Sequence, residues 1–253
     1  MKPQLTRKTW TLLALATCAA ALGCGTLAGR AGQVADSRVR ARPAAPTIAI
    51  APGEHRLNLS AGRDGVLYVP RNVASQPSVP LLVMLHGAGQ STRTVTFTFP
   101  IAEELGIVVL ALDSWSSTWD AIGGDFGPDV MFIDVALRYT FARVNVNPAR
   151  LALGGFSDGA SYALALGLAN GDLFTHLIAF SPGFITSAPP AGRPPIFISH
   201  GTRDQVLPID ATSRRIVPRL KSEGYTVTYR EFDGPHAAPP PIAREALEWL
   251  TRP

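Results

Sequence analysis

The sequence predicts one doubly wound α/β domain, a mostly parallel sheet opened by an antiparallel hairpin. Three observations carry this. Short, continuous apolar runs recur along the chain, as strands buried on both faces require. Segments of helical period lie between most of them. The residues that follow several runs are small or chemically reactive. Strands separated by helices imply right-handed crossovers and a sheet covered on both sides.

The hairpin is expected over Glu54–Leu59 and Val66–Val69, joined by the turn Ala61-Gly62-Arg63-Asp64-Gly65. Strands follow at Leu81–Leu85, Ile107–Leu112, Leu151–Gly154, Leu177–Phe180, Ile196–Ser199 and Val227–Phe232. Helices are expected near Val130–Arg143, Gly159–Ala169, Ile209–Ser222 and Ile242–Leu250. In such sheets the site lies beyond the carboxyl ends of the strands.

Ahead of this body, Lys2, Arg7 and Lys8 precede a charge-free apolar run from Trp10 to Leu22. The run is too short for a permanent span of about 20 residues and fits the core of an export signal over 1–29. Ala21-Leu22-Gly23-Cys24 resembles a bacterial lipobox, with Ala21 where a large aliphatic residue is usual. The small residues Ala28-Gly29 suit an ordinary signal peptidase equally well. A lipid anchor on Cys24 and free secretion are therefore both open. Residues 30–46 are rich in Ala, Arg and Pro without period and read as a flexible spacer, so the domain is expected to begin at 47.

The 253-residue chain carries a net charge of +4, but residues 1–46 hold seven basic side chains against Asp36, while the rest has 16 basic and 18 acidic. The body is slightly acidic, so the overall positive charge gives no support to nucleic-acid binding. Both cysteines, Cys18 and Cys24, lie in the leader. The body thus lacks material for disulfides, a thiolate nucleophile or Cys-ligated zinc. Its scattered histidines suggest no metal site, and no cofactor fingerprint is present.

After Leu151-Ala152-Leu153 comes Gly154-Gly155-Phe156-Ser157-Asp158-Gly159 and then a small-residue helix. This is G-x-S-x-G between strand and helix, which lifts a serine hydroxyl above the sheet. A serine hydroxyl needs a base. His176 precedes a strand, at the wrong end of the sheet. His200 ends one but precedes the acid. His236, in the loop after Val227–Phe232, suits the role. Asp204, after Ile196–Ser199, is the expected partner, with Asp210 and Asp233 as fallbacks. An oxyanion needs donors placed in advance; the amides of Ala88, in Leu85-His86-Gly87-Ala88-Gly89-Gln90, and of Asp158 are the expected pair. His86 reads as shaping that loop. The loop lacks the G-K-[ST] ending of a phosphate cradle.

The segments LHGAGQ, GGFSDGASYALALGLANGDLFTHLIAFSPGF, HGTRDQVLP and GPHAAPP resemble the α/β-hydrolase superfamily over essentially all of 50–253. They are most similar to its phospholipase/carboxylesterase and polyhydroxybutyrate-depolymerase-like or feruloyl-esterase-like esterases. The resemblance implies a Ser157–Asp204–His236 triad cleaving a small-molecule or polymer-borne carboxylic ester through an acyl-enzyme, without a cofactor. Asp158 departs from the residue usual after the nucleophile in such esterases, and its carboxylate is expected to disfavour anionic substrates. Trp115, Trp119 and Phe184, after neighbouring strands, are candidate pocket walls; for the tryptophans, loop anchoring is an equal reading. Asp129 reads as a helix N-terminal charge. The competing functions are a serine peptidase or acyltransferase on the same fold, and a binding protein that has lost catalysis. Any membrane contact is expected only through an N-terminal anchor.

Overall fold

The computed structural model describes residues 37–186 and 188–252; the leader, Cys24 included, lies outside them. The chain forms β1 (Gly53–Arg56), β2 (Gly65–Val69), β3 (Val79–Leu85), α1 (Phe99–Leu105), β4 (Val108–Leu112), α2 (Asp120–Gly123) and α3 (Pro128–Phe141). It continues through β5 (Val146–Phe156), α4 (Asp158–Ala169), β6 (His176–Phe180), β7 (Ile196–Gly201), α5 (Ser213–Ser222), β8 (Val227–Phe232) and α6 (Pro240–Thr251).

The strands make one eight-stranded sheet in the order β1-β2-β4-β3-β5-β6-β7-β8. β1 pairs antiparallel with β2, and β2 antiparallel with β4. All pairs from β4 through β3 to β8 are parallel. Period-two alternation divides the apolar runs between two cores. Leu81, Val83 and Leu85 face one with Leu110, Leu153 and Ile198, against α3, α4 and α5. Leu82 and Met84 face the other with Val109, Ile178 and Phe197, against α1 and α6. Both faces are covered, so these strands needed no polar alternation and read as continuous apolar runs.

Besides the unexpected α2, the earlier start of β5 and the later start of α5, two segments differ instructively from the sequence expectation. Thr92–Thr98 is a 3₁₀ segment leading into α1. Its threonines and the proline at the start of α1 hide the helical period. The second difference lies at the N-terminus, where Ser37–Arg42 lies on the domain although it was expected to belong to the spacer. Val39 and Ala41 are buried. The Val39 amide donates to Asn170 Oδ1 at 2.8 Å, and the Arg40 and Ala41 amides donate to Asp134 Oδ1, each at 2.6 Å. Arg38 and Arg42 both pair with Asp172. The segment has no secondary-structure period because distant side chains satisfy its backbone.

Register aligns the working ends of the strands. Leu85 lies beside Gly155, Phe156 beside Phe180, and Gly201 beside Phe232. The loops after β3, β5, β7 and β8 therefore emerge on one edge.

Candidate active site

Ser157 sits between β5 and α4 with φ +56° and ψ −119°, a strained backbone for a non-glycine residue. Its N–H donates to the Phe180 carbonyl at 2.9 Å, which ties the turn to β6. A Cβ on Gly155 would strike the Gly159 carbonyl, and one on Gly159 would strike the carbonyls of Leu85 and His86. Close backbone approach thus accounts for both motif glycines.

On one side of Ser157, Asp204 and His236 meet. His236 Nδ1 donates to Asp204 Oδ2 at 2.6 Å. Asp204 Oδ1 accepts the amides of Val206 at 2.9 Å and Leu207 at 2.8 Å. Burial works to raise the Asp204 pKa. The Leu207 amide, the His236 hydrogen bond and charge, and the Val206 amide outweigh it and hold the carboxyl below the ordinary carboxylate value. His236 packs its ring against Phe156, the neighbour of Ser157, with centroids 4.7 Å apart. With Nδ1 on Asp204, its Nε2 has no partner among the described residues. The fallback acids are engaged elsewhere: Asp210 with Arg214 and Asp233 with Arg203, both at the surface.

The other histidines are committed. His176 opens β6 with its ring edge-on to Trp249, and burial, aided by the charge of Arg150, lowers its pKa to about 4. His86 Nε2 accepts the Ser114 amide at 3.1 Å, which puts the ring proton on Nδ1, 2.7 Å from the Gly87 carbonyl. His86 therefore braces the loop after β3, as its position suggested.

That loop is tightly assigned. The Gly87 amide donates to Gln90 Oε1, the Gly89 amide to the Ser117 carbonyl at 2.6 Å, and the Gln90 amide to the Gly87 carbonyl. Among the described residues no acceptor takes the amides of Ala88 or Asp158. Two donors beside the serine are thus unclaimed, the arrangement an oxyanion requires.

The Trp115–Trp119 loop is more structural than expected. Trp119 is fully buried, donates Nε1–H to the His86 carbonyl at 2.9 Å and packs on Tyr162. It cannot stack on a substrate, and its place among the pocket walls is withdrawn. Trp115 is 62% exposed with the Arg63 guanidinium over its ring, and Phe184 is 41% exposed. Thr118 donates to Asp158 Oδ2 at 2.7 Å, which bridges this loop to the turn after the nucleophile.

The sequence reading missed the scaffold beneath the loop. Asp129 is fully buried. Its Oδ1 accepts Arg63 at 2.8 Å and the Trp115 amide at 2.7 Å, and its Oδ2 accepts the Asp120 amide at 2.7 Å. Asp120 accepts the amides of Gly127 and Asp129 and the Tyr162 hydroxyl. Burial dominates at Asp129 and raises its pKa, and burial lowers that of Arg63. Asp129 does stand in the first turn of α3, but its work is to organise the site loop.

The phospholipase/carboxylesterase family model matches residues 131–250, a stretch that includes Ser157, Asp204 and His236. By sequence the chain matches no curated protein. Among solved structures it is similar to S-formylglutathione hydrolase from Staphylococcus aureus, at 14% identity and TM-score 0.64 over 79% of this chain and 99% of that one. The Bacillus cereus carboxylesterase matches at 19% identity and TM-score 0.57, over 76% and 94%. Thermogutta terrifontis esterase 2 matches at 19% and 0.61, over 79% and 93%. These similarities show the α/β-hydrolase fold. Together with the family match over that stretch, they support a carboxylic ester hydrolase built on this fold.

Proposed function

We propose that the protein is an exported serine esterase using Ser157, His236 and Asp204. His236 Nε2 takes the Ser157 proton as Oγ attacks the ester carbonyl, and Asp204 steadies the resulting imidazolium through Nδ1–H. The amides of Ala88 and Asp158 receive the oxyanion. Collapse expels the alcohol with the proton from His236 and leaves an acyl-serine. Water, deprotonated by the same histidine, releases the acid and restores the serine. The observation that carries this reading is the 2.6 Å contact between His236 Nδ1 and Asp204 beside the strained elbow serine. Export rests on the leader.

The Asp158 carboxylate, held by Thr118 beside one oxyanion donor, selects neutral or cationic esters over anionic ones by charge repulsion. The test compares p-nitrophenyl acetate, an anionic hemisuccinate ester and the matching anilide. Turnover of the acetate that Ser157→Ala abolishes, with slower hemisuccinate and negligible anilide cleavage, supports the reading. Anilide hydrolysis at the ester rate would instead make the protein an amidase.

A further inference from the structure

We propose that His200 is a positioning residue that shares Asp204 with His236 and sets how strongly that carboxylate acts on the base. The proposal rests on the triad reading above and extends it to a residue outside the triad.

His200 is the penultimate residue of β7 and fully buried. Alternation along the strand sends Ile196 and Ile198 toward the α5 side, and the His200 ring follows them to Ser213, the first residue of α5. Its Nε2 lies 2.8 Å from the Leu207 carbonyl and 3.1 Å from Asp204 Oδ2; its Nδ1 lies 2.7 Å from Ser213 Oγ. A carbonyl can only accept, so the hydrogen is on Nε2 and is donated to Leu207, with Asp204 Oδ2 lying 3.1 Å from the same nitrogen. Nδ1 is then a lone pair, and the Ser213 hydroxyl must donate to it. Burial keeps the ring neutral against the pull of Leu207 and Asp204.

Two consequences follow. Leu207 gives its amide to Asp204 Oδ1 and receives the His200 hydrogen on its carbonyl. The loop carrying the acid is therefore closed on itself, with His200 as the bolt. Asp204 Oδ2 also has two rings beside it, accepting from His236 at 2.6 Å and lying 3.1 Å from His200 Nε2. The positive end of the second ring's N–H dipole, held this close to the same oxygen, offsets charge that would otherwise act on His236 alone. The other charged groups around the pair are already matched. Arg203 pairs with Asp233 near the His236 loop, and Glu231 pairs with Arg214 on the His200 side.

Without the His200 donor, Asp204 holds an imidazolium at His236 more strongly, and the base stays protonated to higher pH. The acid limb of kcat/KM should move upward.

The experiment measures kcat and kcat/KM of the full-length protein against pH with p-nitrophenyl acetate. His200→Met, which fills the space without a donor, should raise the acid limb by roughly 0.5 to 1 pH unit and lower kcat about tenfold, with KM little changed. His200→Gln, which restores an N–H near the Nε2 position, should keep the wild-type limb. Ser213→Ala, a smaller change that only frees the His200 tautomer, should move the limb in the same direction by less. Wild-type limbs in both His200→Met and Ser213→Ala, or the same displacement in His200→Met and His200→Gln, would overturn the proposal. A wild-type protein that neither turns over the ester nor reacts with a fluorophosphonate would fail at the triad instead.

Discussion

The two flanks of Ser157 are built on different principles. On the proposed acid–base flank, the side chains sit directly on the loops after β7 and β8, and one carboxylate, Asp204, collects two amides and the His236 ring, with His200 3.1 Å away. On the oxyanion flank, the useful groups are backbone amides. Their placement is inherited through a chain of supports from Arg63 to Asp129, from Asp129 to the Trp115–Trp119 loop, and from that loop to His86 and Gly89. Side-chain chemistry can be placed by a motif. Backbone donors need a scaffold, and here the scaffold is a buried ion pair contributed by residues 66 apart in sequence.

Substitution can separate the flanks, and the acid–base side should show the largest effect. His236→Ala should lower kcat by on the order of 10⁴- to 10⁶-fold with unchanged far-UV circular dichroism; a wild-type rate would remove His236 from the mechanism. On the other flank, Arg63→Met leaves Asp129 buried without its cation, which typically costs about 3–5 kcal/mol. Urea titration should report that loss, and kcat should fall with KM nearly constant because the loop shapes donors rather than a binding surface. Trp119→Phe is gentler. It keeps the ring but removes the hydrogen bond to the His86 carbonyl, so a loss of about 1 kcal/mol in stability is expected, with a kcat decrease of about tenfold. An unaltered kcat in both variants would detach the scaffold from the oxyanion site.

The smallest effect lies at the opposite end of the sheet. His176 titrates near 4 when folded, against an ordinary value of 6.5. Between these values the unfolded chain binds a proton that the folded chain does not, so stability falls as pH drops through that window. His176→Phe keeps the edge contact with Trp249 and removes the proton site. Its Tm should decline less than that of the wild type between pH 6.5 and 4, while the pH–rate profile stays the same.

The sequence was informative where one physical signal dominated. Strands buried on both faces appear as apolar runs, and an elbow whose glycines are required by contacts between Gly155, Gly159 and β3 appears as a spaced motif. It was silent where structure depends on distant partners. Arg63 in a surface-type turn and Asp129 at a helix start each have an ordinary local explanation, and only the fold brings them to 2.8 Å. His200 resembled a rejected base because the Ser213 and Leu207 contacts that define it are long-range or carried by backbone. Val39 and Ala41 looked like spacer residues because Asn170 and Asp134 hold their amides from elsewhere.

Covalent labelling is the sharpest test of Ser157 as the nucleophile. Intact-mass analysis after treatment with a fluorophosphonate should show a single adduct on the wild type, mapped to the peptide containing Ser157, and none on a folded Ser157→Ala variant. An adduct that persists in Ser157→Ala, or a folded wild type that takes none, would mean that Ser157 is not the nucleophile.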